Sequence, residues 1–257
     1  VLLTLTAVLS PDEMLAWGWR IAFLVGGGLG VAVFWLRRGM DETPSFQARS
    51  GPKATTLGLI RSHPRESLIV MGLTAGGTLA YYTYTTYIQK FLVNTSGFTK
   101  DTATAISAGS LLIYMCLQPL MGHLSDRWGR RTNLMIAFGL GMIFTYPVMS
   151  TLSHTASFVP ALALATSLVL MHSAYSSVSA VVKAELFPAH IRAMGVALPY
   201  AIANTIFGGT AEYMALWFKS QSMEAGFYIY VAGMMAMAFL IAVRIRDTNR
   251  HSLIHED

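Results

Sequence analysis

Apolar runs of about 20 residues recur along the chain, separated by short polar stretches, and this recurrence constrains the fold more than any other feature. At a rise of about 1.5 Å per residue, one such run crosses the hydrocarbon core of a bilayer as a helix. Seven spans can be drawn, roughly 18–37, 67–91, 103–122, 132–152, 158–184, 193–217 and 225–244, each bounded by polar or helix-breaking residues. Of the 257 residues 54% are hydrophobic and 12% charged, where a soluble domain carries about 25% charged. The chain reads as an all-α polytopic membrane protein rather than a large soluble core.

The basic residues alternate between the two ends of the spans. One side receives Arg37, Arg38, Arg49, Lys53, Arg61 and Arg65, then Arg127, Arg130 and Arg131, then Arg192, then Arg244, Arg246 and Arg250. The other receives Arg20, Lys90, Lys100 and Lys219, diluted by Asp12, Glu13, Asp101 and Glu224. By the positive-inside rule the first side is cytoplasmic, and so is the C-terminus. The net charge of +5 then belongs to loops beside a lipid bilayer and requires no nucleic acid.

Four regions follow. Residues 1–37 hold the end of one helix and a whole span, and the polar stretch 38–66, with Pro44, Pro52 and Pro64, reads as a cytoplasmic linker. A short interfacial helix is expected near 56–62. Residues 67–244 carry six spans, and 245–257 form a cytoplasmic tail. The opening "VLLTLTAVLS" has no basic leader, so it reads as the tail of a helix that begins upstream, in a fragment of a longer protein. The single Cys116 offers no disulfide framework, and no cofactor or metal motif appears. No nucleophile–base pair suggests an enzyme.

One stretch breaks the pattern of charge-free runs. "MGHLSDRWGRR", 121–131, packs Asp126, Arg127, Arg130 and Arg131 around Gly122 and Gly129. It is expected to turn the chain between a span ending at Gly122 and one starting near Thr132. The two glycines would allow close backbone approach and positive φ. A plain basic hairpin explains the arginines alone; the Gly, Asp-Arg and Gly-Arg-Arg spacing is more specific.

That stretch resembles the G-x-L-S-D-R-x-G-R-R loop of the major facilitator superfamily. "KAELFPAHIRAMG", 183–195, resembles its E-x-F-P-x-x-x-R-x-x-G turn, and "WGWRIAF", 17–23, its W-G-W-R-x-P-F segment, with Ala22 in place of the proline. "YYTYTTYIQKFLVNTSG" from Tyr81, "VVKAELFPAHIRAMGVAL" from Val181 and "YAIANTIFGGTAEYMAL" from Tyr200 are similar to the metabolite:proton symporter family, most of all to its 2-oxoglutarate (alpha-ketoglutarate) permeases of bacterial inner membranes. The resemblance implies a bundle of twelve helices in two halves, of which this chain holds the end of the fifth, the sixth and the C-terminal six. It also implies that Gly122, Asp126, Arg127, Gly129, Arg130, Arg131, Glu185 and Arg192 form a cytoplasmic gate. Asp126 would face the next-to-last helix near Ala193, with Arg192 and Glu185 completing a charge relay.

Polar groups inside the spans are the candidates for substrate and coupling. Thr74, Thr78, Tyr81, Tyr82, Thr85 and Gln89 form a stripe at three- or four-residue spacing; Tyr81, Thr85 and Gln89 are expected on a cavity face, although an outer aromatic belt explains part of the stripe. Gln118 sits beside helix-bending Pro119. Tyr175, Ser179 and Lys183 share a face, as do Asn204, Gly208 and Glu212. Glu212, an ionisable group within a span, is either a coupling residue or a structural interhelical hydrogen bond. Lys183 lies near the cytoplasmic end, where snorkelling explains it, and as a functional group it would draw in a dicarboxylate. Arg20, at the periplasmic mouth, anchors the interface or attracts carboxylates. His172 reads as a satisfied interhelical histidine rather than a proton relay.

These features imply a secondary transporter that carries a small carboxylate, 2-oxoglutarate first, together with protons, and needs no cofactor. Citrate, shikimate, a betaine-like osmolyte or a non-transporting receptor remain alternatives. Without the missing N-terminal half, the polypeptide is expected not to transport.

Overall fold

The computed structural model describes residues 1–39 and 61–245, and every described element is helical. The expected interfacial helix near 56–62, most of the 38–66 linker and most of the 245–257 tail lie outside the described residues. The chain divides into two units, 1–48 and 49–257.

The first unit contains α1, Leu2–Val8, and α2, Pro11–Arg38. Ser10 starts α2 with a reciprocal cap: its hydroxyl accepts from the Glu13 amide, and the Glu13 carboxylate accepts from the Ser10 amide at 2.9 Å. A π-turn at Met14–Gly18 interrupts α2 just before Trp19.

The second unit is a bundle of six helices. They are α3 (64–94), α4 (Lys100–Trp128), α5 (Arg130–Ser153), α6 (Phe158–Glu185, broken at 177–178), α7 (189–220) and α8 (Glu224–Arg244). Connections of one to five residues force each helix back along its predecessor. One end of the bundle therefore gathers the starts of α3, α5 and α7 with the ends of α4, α6 and α8. Five helices, α2, α4, α5, α6 and α8, are long and apolar enough to cross a membrane among the described residues. All seven expected spans are helices, each longer than its apolar run.

The core forms where α5 packs on α8, α6 and α4, and α3 on α7 and α8. Leu79, Tyr84, Ile88 and Phe91 of α3 meet Phe138 of α5, Leu168 of α6 and Val231 and Met235 of α8 there. A smaller cluster of Val70, Phe187 and Ile191 ties α3 to the α6–α7 turn. Pro188 ends that turn in extended geometry and caps α7.

Within the bundle, two helices carry π-turns as α2 does. π-turns occupy Tyr82–Tyr87 in α3 and Asn204–Gly208 in α7, each adding a residue to the local turn. They lie on helices that pack directly against each other.

Candidate functional site

The charged stretch is not a loop. α4 continues to Trp128, so Asp126 and Arg127 ride on its last turn, and Gly129 alone separates it from α5. Gly129 has φ +93°, which makes a one-residue reversal possible. Gly122 does not share that role: it lies inside α4, and a Cβ added there would meet nothing within 4 Å. The expected close approach at Gly122 is thus corrected, because the helix does not turn there.

Arg130 is the centre of the cluster. Its Nε donates to both carboxylate oxygens of Glu185, at 3.1 and 3.2 Å, and its Nη1 donates to Asp126 at 3.1 Å. The Glu185 side chain is 6% exposed and that of Asp126 65%, so the Glu185 pair is the desolvated, stronger one. The expected relay is recentred accordingly: both acids meet on Arg130. Arg192 joins by donating from Nε to the carbonyls of Ala184 and Phe187, both at 3.1 Å. Arg131 donates to the Val243 carbonyl at the end of α8, and Arg127 is exposed.

A cleft of ≈ 170 Å³ lies between α3, α6 and α7. α3 supplies Gly77, Thr78, Tyr81 and Tyr82; α6 supplies His172, Tyr175, Ser176, Ser179 and Lys183; α7 supplies Tyr200 and Asn204. Gly77 is required by closeness, since a Cβ there would overlap the Tyr175 ring.

Lys183 is the cation of this cleft. It is 3% exposed, so it does not snorkel to an interface. The break after Ser176 lets the Ser179–Glu185 segment turn its lysine inward. Its Nζ donates to Ser179 Oγ at 3.0 Å and sits 4.8 Å from the Tyr200 ring and 5.5 Å from the Tyr175 ring. Among the described residues no carboxylate lies within ion-pairing distance of it. Burying an ammonium costs several kcal/mol. Two cation–π contacts and the Ser179 hydrogen bond offset part of that cost, but none supplies a counter-charge, so the group suits an anion.

The other sequence candidates divide. Tyr81, Tyr175 and Asn204 line the cleft with Lys183. Gln118 stands behind the lining, exchanging hydrogen bonds with Ser176 at 2.9 and 3.0 Å. Thr85 donates to its own helix at the Tyr81 carbonyl, and Gln89 donates to Thr104 of α4 at 2.6 Å. Glu212 pairs with Lys90 of α3, outside the cleft. The π-turn explains why Glu212 and Asn204 part company: the Gly209 amide bonds the Asn204 carbonyl five residues back, shifting the register on which a shared face rested. Arg20 lies in the first unit, where it donates to the Ala16 carbonyl and stacks 4.7 Å over Trp19. His172 is buried, but its Nδ1 has no hydrogen-bond partner among the described residues, so it is not the satisfied histidine expected. Tyr200 was missed as a site residue; its four-residue spacing from Asn204 was the available signal.

Comparison with known proteins fits this architecture. The chain is 43% identical over 95% of its length to the alpha-ketoglutarate permease of Escherichia coli (strain K12), covering 57% of that protein. It is 28% identical over 92% of its length to the citrate-proton symporter of Klebsiella pneumoniae, covering 55% of it. It is 25% identical over 98% of its length to the proline/betaine transporter of Salmonella typhimurium, covering 53% of it. The chain therefore spans a little over half the length of these curated relatives. No solved structure is significantly similar to it. The sugar (and other) transporter family matches residues 47–246, the stretch that holds the helical bundle, the Arg130 cluster and the Lys183 cleft, and the chain belongs to that family, within the major facilitator superfamily.

Proposed function

We propose that the cleft binds a small carboxylate, 2-oxoglutarate first, and that the protein carries it with protons by alternating access. Lys183 carries this reading: a buried ammonium, held between tyrosines and lacking a carboxylate partner among the described residues, awaits an anion. The names of the Escherichia coli permease and the Klebsiella pneumoniae symporter agree with it. A betaine-like osmolyte fits less well, because the tyrosine faces that would hold its cationic head already hold the lysine.

In this reading Arg130, Asp126, Glu185 and Arg192 form a latch at the cytoplasmic end, assigned by the positive-inside rule. The protein lies in a bacterial inner membrane as a multi-pass carrier with its C-terminus inside. Residues 61–245 supply one six-helix half, and α2 belongs to the other half of a longer transporter.

The test is uptake of labelled 2-oxoglutarate by cells expressing this chain together with the remaining segment of the Escherichia coli relative. Uptake that collapses with an uncoupler is expected, and the chain alone should give none. Uptake indifferent to the uncoupler rejects symport; no uptake of labelled 2-oxoglutarate by cells that do take up labelled glycine betaine rejects a dicarboxylate substrate.

A further inference from the structure

The cleft holds a second group that the carboxylate reading leaves unused. His172 is 1% exposed, and its Nδ1 has no hydrogen-bond partner among the described residues. A buried polar atom without a partner costs on the order of 1–3 kcal/mol, so its retention calls for a reason. Tyrosine rings enclose the imidazole: Tyr81 and Tyr84 of α3 with centroids at 5.9 and 6.2 Å, Tyr114 of α4 at 6.3 Å, and Tyr175 of its own helix at 5.4 Å. Across the cleft, α7 contributes the phenol of Tyr200. Among the described residues no carboxylate lines the cleft, and Lys183 is the one lysine or arginine there.

His172 and Lys183 also flank a common element. The imidazole lies 5.4 Å and the ammonium 5.5 Å from the Tyr175 ring. The cleft thus brings a cation and an unpartnered imidazole against the same tyrosine, two groups that can each pair with one carboxylate of a dicarboxylate. Among the described lining residues the imidazole has no carboxylate beside it, so an entering carboxylate would be the first group there able to pair with an imidazolium.

We infer that His172 is the proton-linked anchor of this site, taking up one proton from solvent as a dicarboxylate binds and holding its second carboxylate as an imidazolium. This rests on the carboxylate reading of the cleft. The proton balance is complete: a dianion and a proton enter together, the imidazole carries the proton while the anion is bound, and both leave together. No bond within the substrate changes.

The experiment is calorimetric binding of 2-oxoglutarate to the purified chain in lipid nanodiscs, in buffers of different ionisation enthalpy. The wild type should take up about one proton per anion bound, with affinity falling up to about tenfold per pH unit on the alkaline side. His172→Gln should still bind, more weakly, with proton uptake abolished and the pH dependence flattened. A His172→Gln chain that keeps both the proton uptake and the pH slope overturns the role of His172 while the carboxylate site stands. No binding of 2-oxoglutarate by the wild type rejects the carboxylate reading itself. A second measurement avoids the variant: in wild-type chain labelled with ¹⁵N-histidine, the His172 resonance should move to the imidazolium position on saturation at constant pH. A resonance that stays neutral in the saturated complex overturns the inference.

Discussion

Lys183 and Glu185 stand two residues apart on one short helical segment and face opposite ways: the ammonium lies against the Tyr200 ring, and the carboxylate accepts two hydrogen bonds from Arg130. Residues two apart on a helix point to opposite sides, so this segment joins the wall of the cleft to the Arg130 cluster.

The cleft side of that segment predicts the largest binding loss. Lys183→Met removes the ammonium while keeping an unbranched side chain against Tyr175 and Tyr200. Hydrogen bonds to a charged group contribute about 1.5–3 kcal/mol, so the affinity for 2-oxoglutarate should fall roughly 10- to 100-fold. Calorimetry on the chain in nanodiscs reads this directly, with circular dichroism confirming that helix content is kept. An unchanged affinity would remove Lys183 from the site.

The opposite side predicts a stability ranking. Removing one partner of a buried ion pair costs about 3–5 kcal/mol, whereas an exposed pair contributes about 0.2–1 kcal/mol. Glu185→Gln should therefore lower the thermal midpoint far more than Asp126→Asn, since only the first carboxylate is buried. Thermal unfolding of both variants in the same lipid is the measurement. Equal effects, or a larger one at Asp126, would contradict the assignment of Glu185 as the inner partner.

The glycines give a paired test. At Gly77 a new Cβ would overlap the Tyr175 ring, while at Gly122 it would meet open space. Overpacking costs about 1–3 kcal/mol, and alanine is favoured over glycine within a helix by about 1 kcal/mol. Gly77→Ala should lower the thermal midpoint and narrow the cleft; Gly122→Ala should leave it unchanged or raise it. The reverse order would mean that the α3–α6 approach is misplaced.

Sequence periodicity revealed the helices because apolar run lengths and bounding polar residues report directly on burial in lipid. The Arg130–Glu185 pair was partly legible: the motifs pointed to both residues, but a separation of 55 positions hides which acid the arginine chooses. The π-turns left no such trace. "YTYTTY" and "NTIFG" are compatible with an ordinary helix, and the extra residue in the second moved Glu212 off the face assigned to Asn204. Lys183 stayed between two roles for a related reason: a lysine near the end of an apolar run reads as a snorkelling group as readily as a site residue unless the break at 177–178 is known. The unpartnered state of His172 depends on four tyrosines from three helices, which no local pattern encodes.

The displaced Glu212 supplies the last prediction. Its carboxylate pairs with Lys90, joining α3 and α7, and the two side chains are 38% and 54% exposed. A pair this accessible holds the helices together only weakly, with a coupling of about 0.2–1 kcal/mol, and it shares no partner with Lys183 among the described contacts. Effects at sites without shared partners are close to additive. Glu212→Gln should therefore leave the affinity for 2-oxoglutarate within about twofold, and a double-mutant cycle with Lys90→Met should return a small coupling in thermal stability. If Glu212→Gln abolished binding as Lys183→Met is expected to, the anion would have to lie toward the Lys90 end of α3 instead of in the tyrosine-lined cleft.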